Sequence, residues 1–296
     1  MVKSSGVLQP RQKGKPKKAR HPGSESWTGK DKIIHFVSGL PRAGSTLFVN
    51  ILAQNHRFDV TPTSGIIGML TMLRNQWEHQ SEFRAAYDEE VKVTALRGLL
   101  NGYFHNSRFP VVFDKSRGWP AQIEMAERLL GRRIKILAPV RDVRDILSSF
   151  EKLYRKNKDI RPIPGEMQNP GRFQTVDGRC EVWCQPDQPL GAAFNMIRDA
   201  TRRGFGNRIH FVEYEKLTVA PKTTMAKVYE FLDEKPYEHD FDNVEQYTQE
   251  DDIWHGYKDL HTIRQKVEPM EPQWPDVLGQ EVAKQYAGKA TNFWQE

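Results

Sequence analysis

Cysteine is scarce: Cys180 and Cys184 are the only two in 296 residues. That excludes a disulfide framework. Their C-x₃-C spacing departs from the C-x₂-C of zinc and redox motifs, and no second pair completes a site. We read them as two thiols in a loop, and such sparing use of cysteine fits a reducing, cytoplasmic compartment. Long hydrophobic runs are missing as well. The stretch 134–140 is broken by Lys135 and is far too short to cross a bilayer, so no transmembrane segment is expected. No apolar stretch follows Met1, so no secretory signal is expected. Acidic residues are absent from positions 1–20, which carry seven Lys or Arg. Those seven charges exceed the net +6 of the whole chain, so the remainder is slightly acidic. Residues 1–30 therefore read as a basic, disordered, solvated tail and 31–296 as one domain, with no specific nucleic-acid partner.

With 38% hydrophobic and 10% aromatic residues the domain has the material for a sizeable core. Four short apolar runs, 33–37, 110–113, 134–140 and 209–212, read as buried parallel strands. Helical patterns alternate with them at 45–54, 66–77, 121–130, 143–154, 194–203 and 223–232. Strand and helix in alternation imply a three-layer α/β/α fold with a central parallel sheet, and ligands beyond the carboxyl ends of its strands. The stretch 157–190, rich in Pro, Gly, Gln and Asp, reads as a long loop, either a functional lid or disordered.

The first run leads into Gly39-Leu40-Pro41-Arg42-Ala43-Gly44-Ser45-Thr46 and then a helix. Strand, glycine turn and helix is the arrangement that aims backbone N–H groups and a helix N-terminus at a phosphate. The spacing is G-x₄-G, but Ser45 stands where a Walker loop has lysine. The positive charge lies inside the loop, at Arg42. That argues against ATP or GTP hydrolysis; phosphoryl transfer by a P-loop nucleotide or small-molecule kinase remains an alternative reading, which the missing lysine disfavours. A further alternative is a non-catalytic nucleotide- or polyanion-binding protein acting through its basic tail.

The third run ends in Arg141-Asp142-Val143-Arg144-Asp145-Ile146-Leu147-Ser148-Ser149. An arginine at a strand's carboxyl end suits a forked grip on phosphate. Together these two motifs resemble those of sulfotransferases that use 3′-phosphoadenosine 5′-phosphosulfate (PAPS). The likeness is greatest to tyrosylprotein sulfotransferases and bacterial relatives, and it runs from about residue 33 to 232. It implies the P-loop-like sulfotransferase fold and sulfuryl transfer from PAPS to an acceptor hydroxyl, leaving adenosine 3′,5′-bisphosphate. It also implies roles. Gly39, Pro41, Ala43, Gly44, Ser45 and Thr46 would cradle the 5′-phosphate, and Arg42 would meet the transferring sulfuryl group. Arg141 and Ser149 would hold the 3′-phosphate. Lys115, in Asp114-Lys115-Ser116, would stabilise charge on the transferring group. Tyr214 would lie near the adenine, and Arg264 would add to the 3′-phosphate site.

The resemblance fails at the general base. Where tyrosylprotein sulfotransferases carry a glutamate, this chain reads Thr61-Pro62-Thr63-Ser64-Gly65, and where another branch carries histidine it has Arg117. Asp114, His56 and His105 are the nearby candidates. His255, His261, Arg264 and Lys266 fall in a C-terminal segment that the family folds over the nucleotide. The acceptor, whether protein, carbohydrate or small molecule, is not encoded in any motif. No EF-hand or zinc spacing is present, so no metal is expected.

Overall fold

The structure, a computed structural model, describes residues 32–288 and Trp294. The expected basic tail lies outside the described residues. Five strands, β1 (Ile33–Val37), β2 (Phe58–Thr63), β3 (Val111–Lys115), β4 (Ile136–Val140) and β5 (Ile209–Glu213), form one parallel sheet in the order β2-β3-β1-β4-β5. Four of them fall on the expected runs. β2 was not expected, because Asp59 and Pro62 dilute its apolar signal. As an edge strand it tolerates proline, and its register with β3 shifts between Val60 and Thr63.

The helices are α1 (Ser45–Leu52), α2 (Ile66–Trp77), α3 (Ser81–Ala85), α4 (Glu89–Tyr103), α5 (Ile123–Leu130), α6 (Val143–Lys156), α7 (Val176–Trp183), α8 (Pro189–Ala200), α9 (Tyr214–Val219), α10 (Pro221–Leu232), α11 (Trp274–Leu278) and α12 (Gln280–Gln285). Alternate strand residues enter opposite cores. Ile34, Phe36, Val112, Ile136 and Ala138 pack with α2 and α4 to α8. Val37, Phe58, Val111, Phe113 and Leu137 pack with α1, α9 and α10. Burial on both faces is why the central strands read as unbroken apolar runs, and it yields the expected three layers. No described helix is long and apolar enough to cross a membrane.

The stretch 157–190 is not an open loop. It contains α7, begun by Thr175, whose hydroxyl accepts from the Gly178 N–H. Phe173, Cys180, Val182 and Trp183 are buried. The Arg179 guanidinium donates to both Glu151 oxygens on α6, at 2.7 and 2.8 Å, and lies 4.4 Å from the centre of the Tyr154 ring. These partners are distant in sequence, so local composition concealed the helix. The two cysteines correspondingly lie on a helix rather than in a loop, Cys180 within α7 and Cys184 at its C-cap. Burial pushes the Cys184 thiol up to about 12 and raises Cys180 as well, which disfavours the thiolate at both.

Candidate active site

The carboxyl ends of β1, β3, β4 and β5 deliver the expected site residues to one place. Beyond β1 the chain stays against β4, with the Leu40 N–H donating to the Pro139 carbonyl at 2.9 Å. A Cβ on Gly39 would lie 2.1 Å from that oxygen, so only glycine fits. Gly44 adopts φ 80°, and a Cβ there would lie 2.6 Å from the Tyr214 ring. No side chain caps α1, which leaves its first-turn N–H groups for an anion. Arg42 is also left-handed, at φ 59°, a conformation costing a non-glycine residue about 1 kcal/mol. Its Nε donates to Ser149 Oγ at 3.0 Å, and its Nη1 donates to the Leu260 carbonyl. The two expected phosphate cradles are therefore contiguous, joined by the Arg42 side chain.

Arg141 leaves β4 and lies 4.5 Å from the centre of the Tyr214 ring, with Asp145 3.8 Å away. Its Nε is buried and has no hydrogen-bond partner among the described residues. Arg264 donates to Tyr214 Oη at 3.1 Å. Tyr214, buried against Gly44, thus acts as a platform for two arginines, a task the sequence did not suggest.

Lys115 enters from β3. Its ammonium lies 3.0 Å from Glu250 Oε1 and 3.5 Å from Thr46 Oγ1. Burial pulls its pKa down while Glu250 opposes the shift. Glu250 is the residue that sequence reasoning missed. Burial alone would raise its pKa, but Lys115, the Thr63 N–H and His261 hold it at about 2. His255 Nε2 is 3.2 Å from its other oxygen, and His261 Nδ1 is 3.6 Å away. Buried Asn50 on α1 places this segment. Its amide donates to Thr248 Oγ1 and accepts from the Tyr247 and Thr248 N–H groups at 2.6–3.0 Å.

Glu250, His255 and His261 each offer a ligand atom within 4.8 Å of the others, the one such group among the described residues. A dication there would face the Lys115 ammonium, whose charge already neutralises Glu250. The cluster is better suited to handling protons.

The nearby base candidates are elsewhere. His56 packs edge-on to Tyr237, His105 follows the end of α4, and neither lines the cleft. Asp114 is fully buried and accepts from Trp119 Nε1 at 2.7 Å and Thr61 Oγ1 at 3.4 Å. Burial lifts its pKa from 3.8 to about 6, so the fold favours its protonated form. Its contribution to stability is complete below pH 3.8 and is lost as pH rises through about 6. Denaturant titrations from pH 4 to 7 should show that decline, and Asp114→Asn should flatten it. An unchanged slope in the variant would exclude Asp114 as its source.

All twelve expected site residues except Ala43, which is buried beneath the loop, line one cleft of about 320 Å³. Five cations, Arg42, Lys115, Arg117, Arg141 and Arg264, face it, and no carboxylate is among its described lining residues. The sequence profile of the sulfotransferase family matches residues 35–239. The chain belongs to the sulfotransferase family. It is an enzyme of sulfuryl transfer. Among solved structures it is similar to the sulfotransferase domain from the Synechococcus PCC 7002 olefin synthase, with 15% identity, 90% of this chain and 99% of that one covered, and a TM-score of 0.46. It is also similar to the sulfotransferase domain from the curacin biosynthetic pathway (18% identity, 70% and 75% covered, TM-score 0.45). A third is a mouse sulfotransferase complexed with PAP (12% identity, 70% and 60% covered, TM-score 0.44). A search of curated protein sequences returns no match. Glu250, His255 and His261 lie beyond the residues this sulfotransferase shares with the family profile.

Proposed function

We propose that this sulfotransferase takes its sulfuryl group from PAPS and passes it to an acceptor hydroxyl, releasing adenosine 3′,5′-bisphosphate. One observation carries this reading: five cations and no carboxylate among the described residues of a single cleft, with Arg42 spanning from the phosphate loop to Ser149. Two groups of cations on one cleft suit a donor with two separated phosphates. Arg141 and Ser149 would hold the 3′-phosphate, helped by Arg264. Gly39 and Gly44 let the backbone approach the 5′-phosphate closely, and α1 offers its uncapped N–H groups. Arg141, with its Nε unpaired, has hydrogen-bonding capacity to spare for an anion.

The acceptor oxygen attacks sulfur in line, and negative charge gathers on the bridging oxygen as its bond to sulfur breaks. Arg42 and Lys115 would stabilise that charge, fixed beforehand by Leu260, Ser149 and Glu250. A sulfuryl group carries less charge than a terminal phosphoryl, so no step needs a metal.

Adenosine 3′,5′-bisphosphate should raise the melting temperature well above the shift given by AMP. At a hundredfold excess over Kd the stabilisation is about 2.7 kcal/mol, roughly 5–10 °C for a domain of this size. Arg141→Ala should shrink the difference between the two nucleotides. Equal shifts in the wild type would remove the 3′-phosphate site.

A further inference from the structure

We propose that His261 is the general base of this enzyme, taking the acceptor's proton on Nε2 while Asp252 holds Nδ1. The inference rests on the sulfuryl-transfer reading and supplies the group that Thr61 to Gly65 and Arg117 do not. Asp252 Oδ1 lies 2.5 Å from His261 Nδ1, and its Oδ2 accepts from the His261 backbone N–H at 3.0 Å. One carboxylate therefore fixes both the ring and the chain that bears it. It selects the tautomer with hydrogen on Nδ1, leaving Nε2 the acceptor. His261 lines the cleft.

Its neighbours set it at the reacting end. The preceding carbonyl, of Leu260, accepts from Arg42, and Gln246 Nε2 donates to the His261 carbonyl at 2.9 Å. Glu250 is 3.6 Å from Nδ1, and the His255 ring centre is 5.3 Å away. The charged and titratable groups bearing on it are Asp252, Glu250 and His255 from its own segment and Lys115 from β3, and Arg42, Arg117 and Tyr257 line the same cleft. Burial and then Lys115 hold the ring below its usual range, against Asp252 and Glu250, so it is neutral and ready to accept at neutral pH.

In the step, the acceptor oxygen bonds to sulfur and the bond from sulfur to the phosphate-bridging oxygen breaks. That electron pair leaves on the 5′-phosphate of the bisphosphate. The acceptor proton moves to Nε2, and the imidazolium, paired with Asp252, later gives it to water. Asp252 is a positioning residue, acting only through the ring.

The test uses the full chain with PAPS as donor and phenol or 4-nitrophenol as acceptor probe. His261→Gln should lower turnover of phenol by roughly 10²–10⁴-fold and that of the more acidic nitrophenol far less. The acid limb of the wild-type pH profile should lie below 6.5 and vanish in the variant. Asp252→Asn should lower kcat more than it raises KM and move that limb to lower pH. The melting shift with adenosine 3′,5′-bisphosphate, read on the same samples, should survive in both variants, so a failure of donor binding is seen separately from a failure of proton removal. Histidine nitrogen NMR needs no acceptor: hydrogen on Nδ1 and a bare Nε2 near neutral pH are expected. Hydrogen on Nε2 instead, equal wild-type and His261→Gln rates with phenol, a larger loss in His255→Gln, or activity lost to EDTA and restored by zinc would each overturn the assignment.

Discussion

Replacing Arg42 by alanine should lower sulfuryl transfer by roughly 10²–10³-fold, the scale on which one preorganised donor to developing charge matters. The guanidinium is held from two sides, by Ser149 Oγ at 3.0 Å and by the Leu260 carbonyl. On the proposed mechanism it would meet the transferring group without first reorganising. Arg42→Lys should fall between the two, because an ammonium lacks the planar fork that serves both partners. Stability should move the other way. Arg42 sits at φ 59°, so Arg42→Gly removes backbone strain and should melt no lower than Arg42→Ala while being equally inactive. Steady-state turnover of PAPS and a melting curve on each variant decide this. Wild-type turnover in Arg42→Ala would take the residue out of the mechanism.

The second large effect joins stability to catalysis. Lys115 and Glu250 are both nearly inaccessible, with side chains 6% and 9% exposed, and their charges lie 3.0 Å apart. Lys115→Met strands a buried carboxylate, a loss of about 3 kcal/mol where one partner of such a pair is removed. Transfer should fall by roughly 10²-fold or more, since in the proposed mechanism Lys115 would also stabilise the departing charge. Pairing Lys115→Met with Glu250→Gln removes the stranded charge, so the double variant should regain most of the stability and none of the activity. Equilibrium unfolding in urea beside an activity assay separates the two effects. A double variant as unstable as Lys115→Met would show that packing, not charge, holds that end of β3.

Legibility from sequence followed locality. The strand–turn–helix geometry of residues 39–46 was readable because they form one local turn and carry their own geometry. Arg141 and Ser149 were readable for the same reason, lying eight positions apart on one strand end and helix. α4 also carries a local signal: Asp88 accepts from the Glu90 and Val91 N–H groups, and acidic residues fill its first turn. β2 and α7 were obscure because distant partners make them. β2 is defined by pairing with β3, and α7 by Arg179 on Glu151.

The base was the least legible of all. Glu250 stands 135 residues from Lys115, and Asp252 and His261 lie in a segment of little regular structure. No spacing rule connects them.

By itself, then, the amino-acid sequence determined the alternation of strand and helix, the glycine turn and the arginines at the strand ends of this α/β protein. Each of those depends on neighbours within a few residues, where backbone preference and periodicity act. Only the tertiary structure decided that Arg42 spans to Ser149, that Tyr214 supports two arginines, that Glu250 pairs with Lys115, and that His261, held by Asp252, lines the cleft. The placement of the segment carrying Glu250, Asp252 and His261 is tied to Asn50 gripping Thr248 across 198 positions, and contacts at such separations exist only once the sheet has formed.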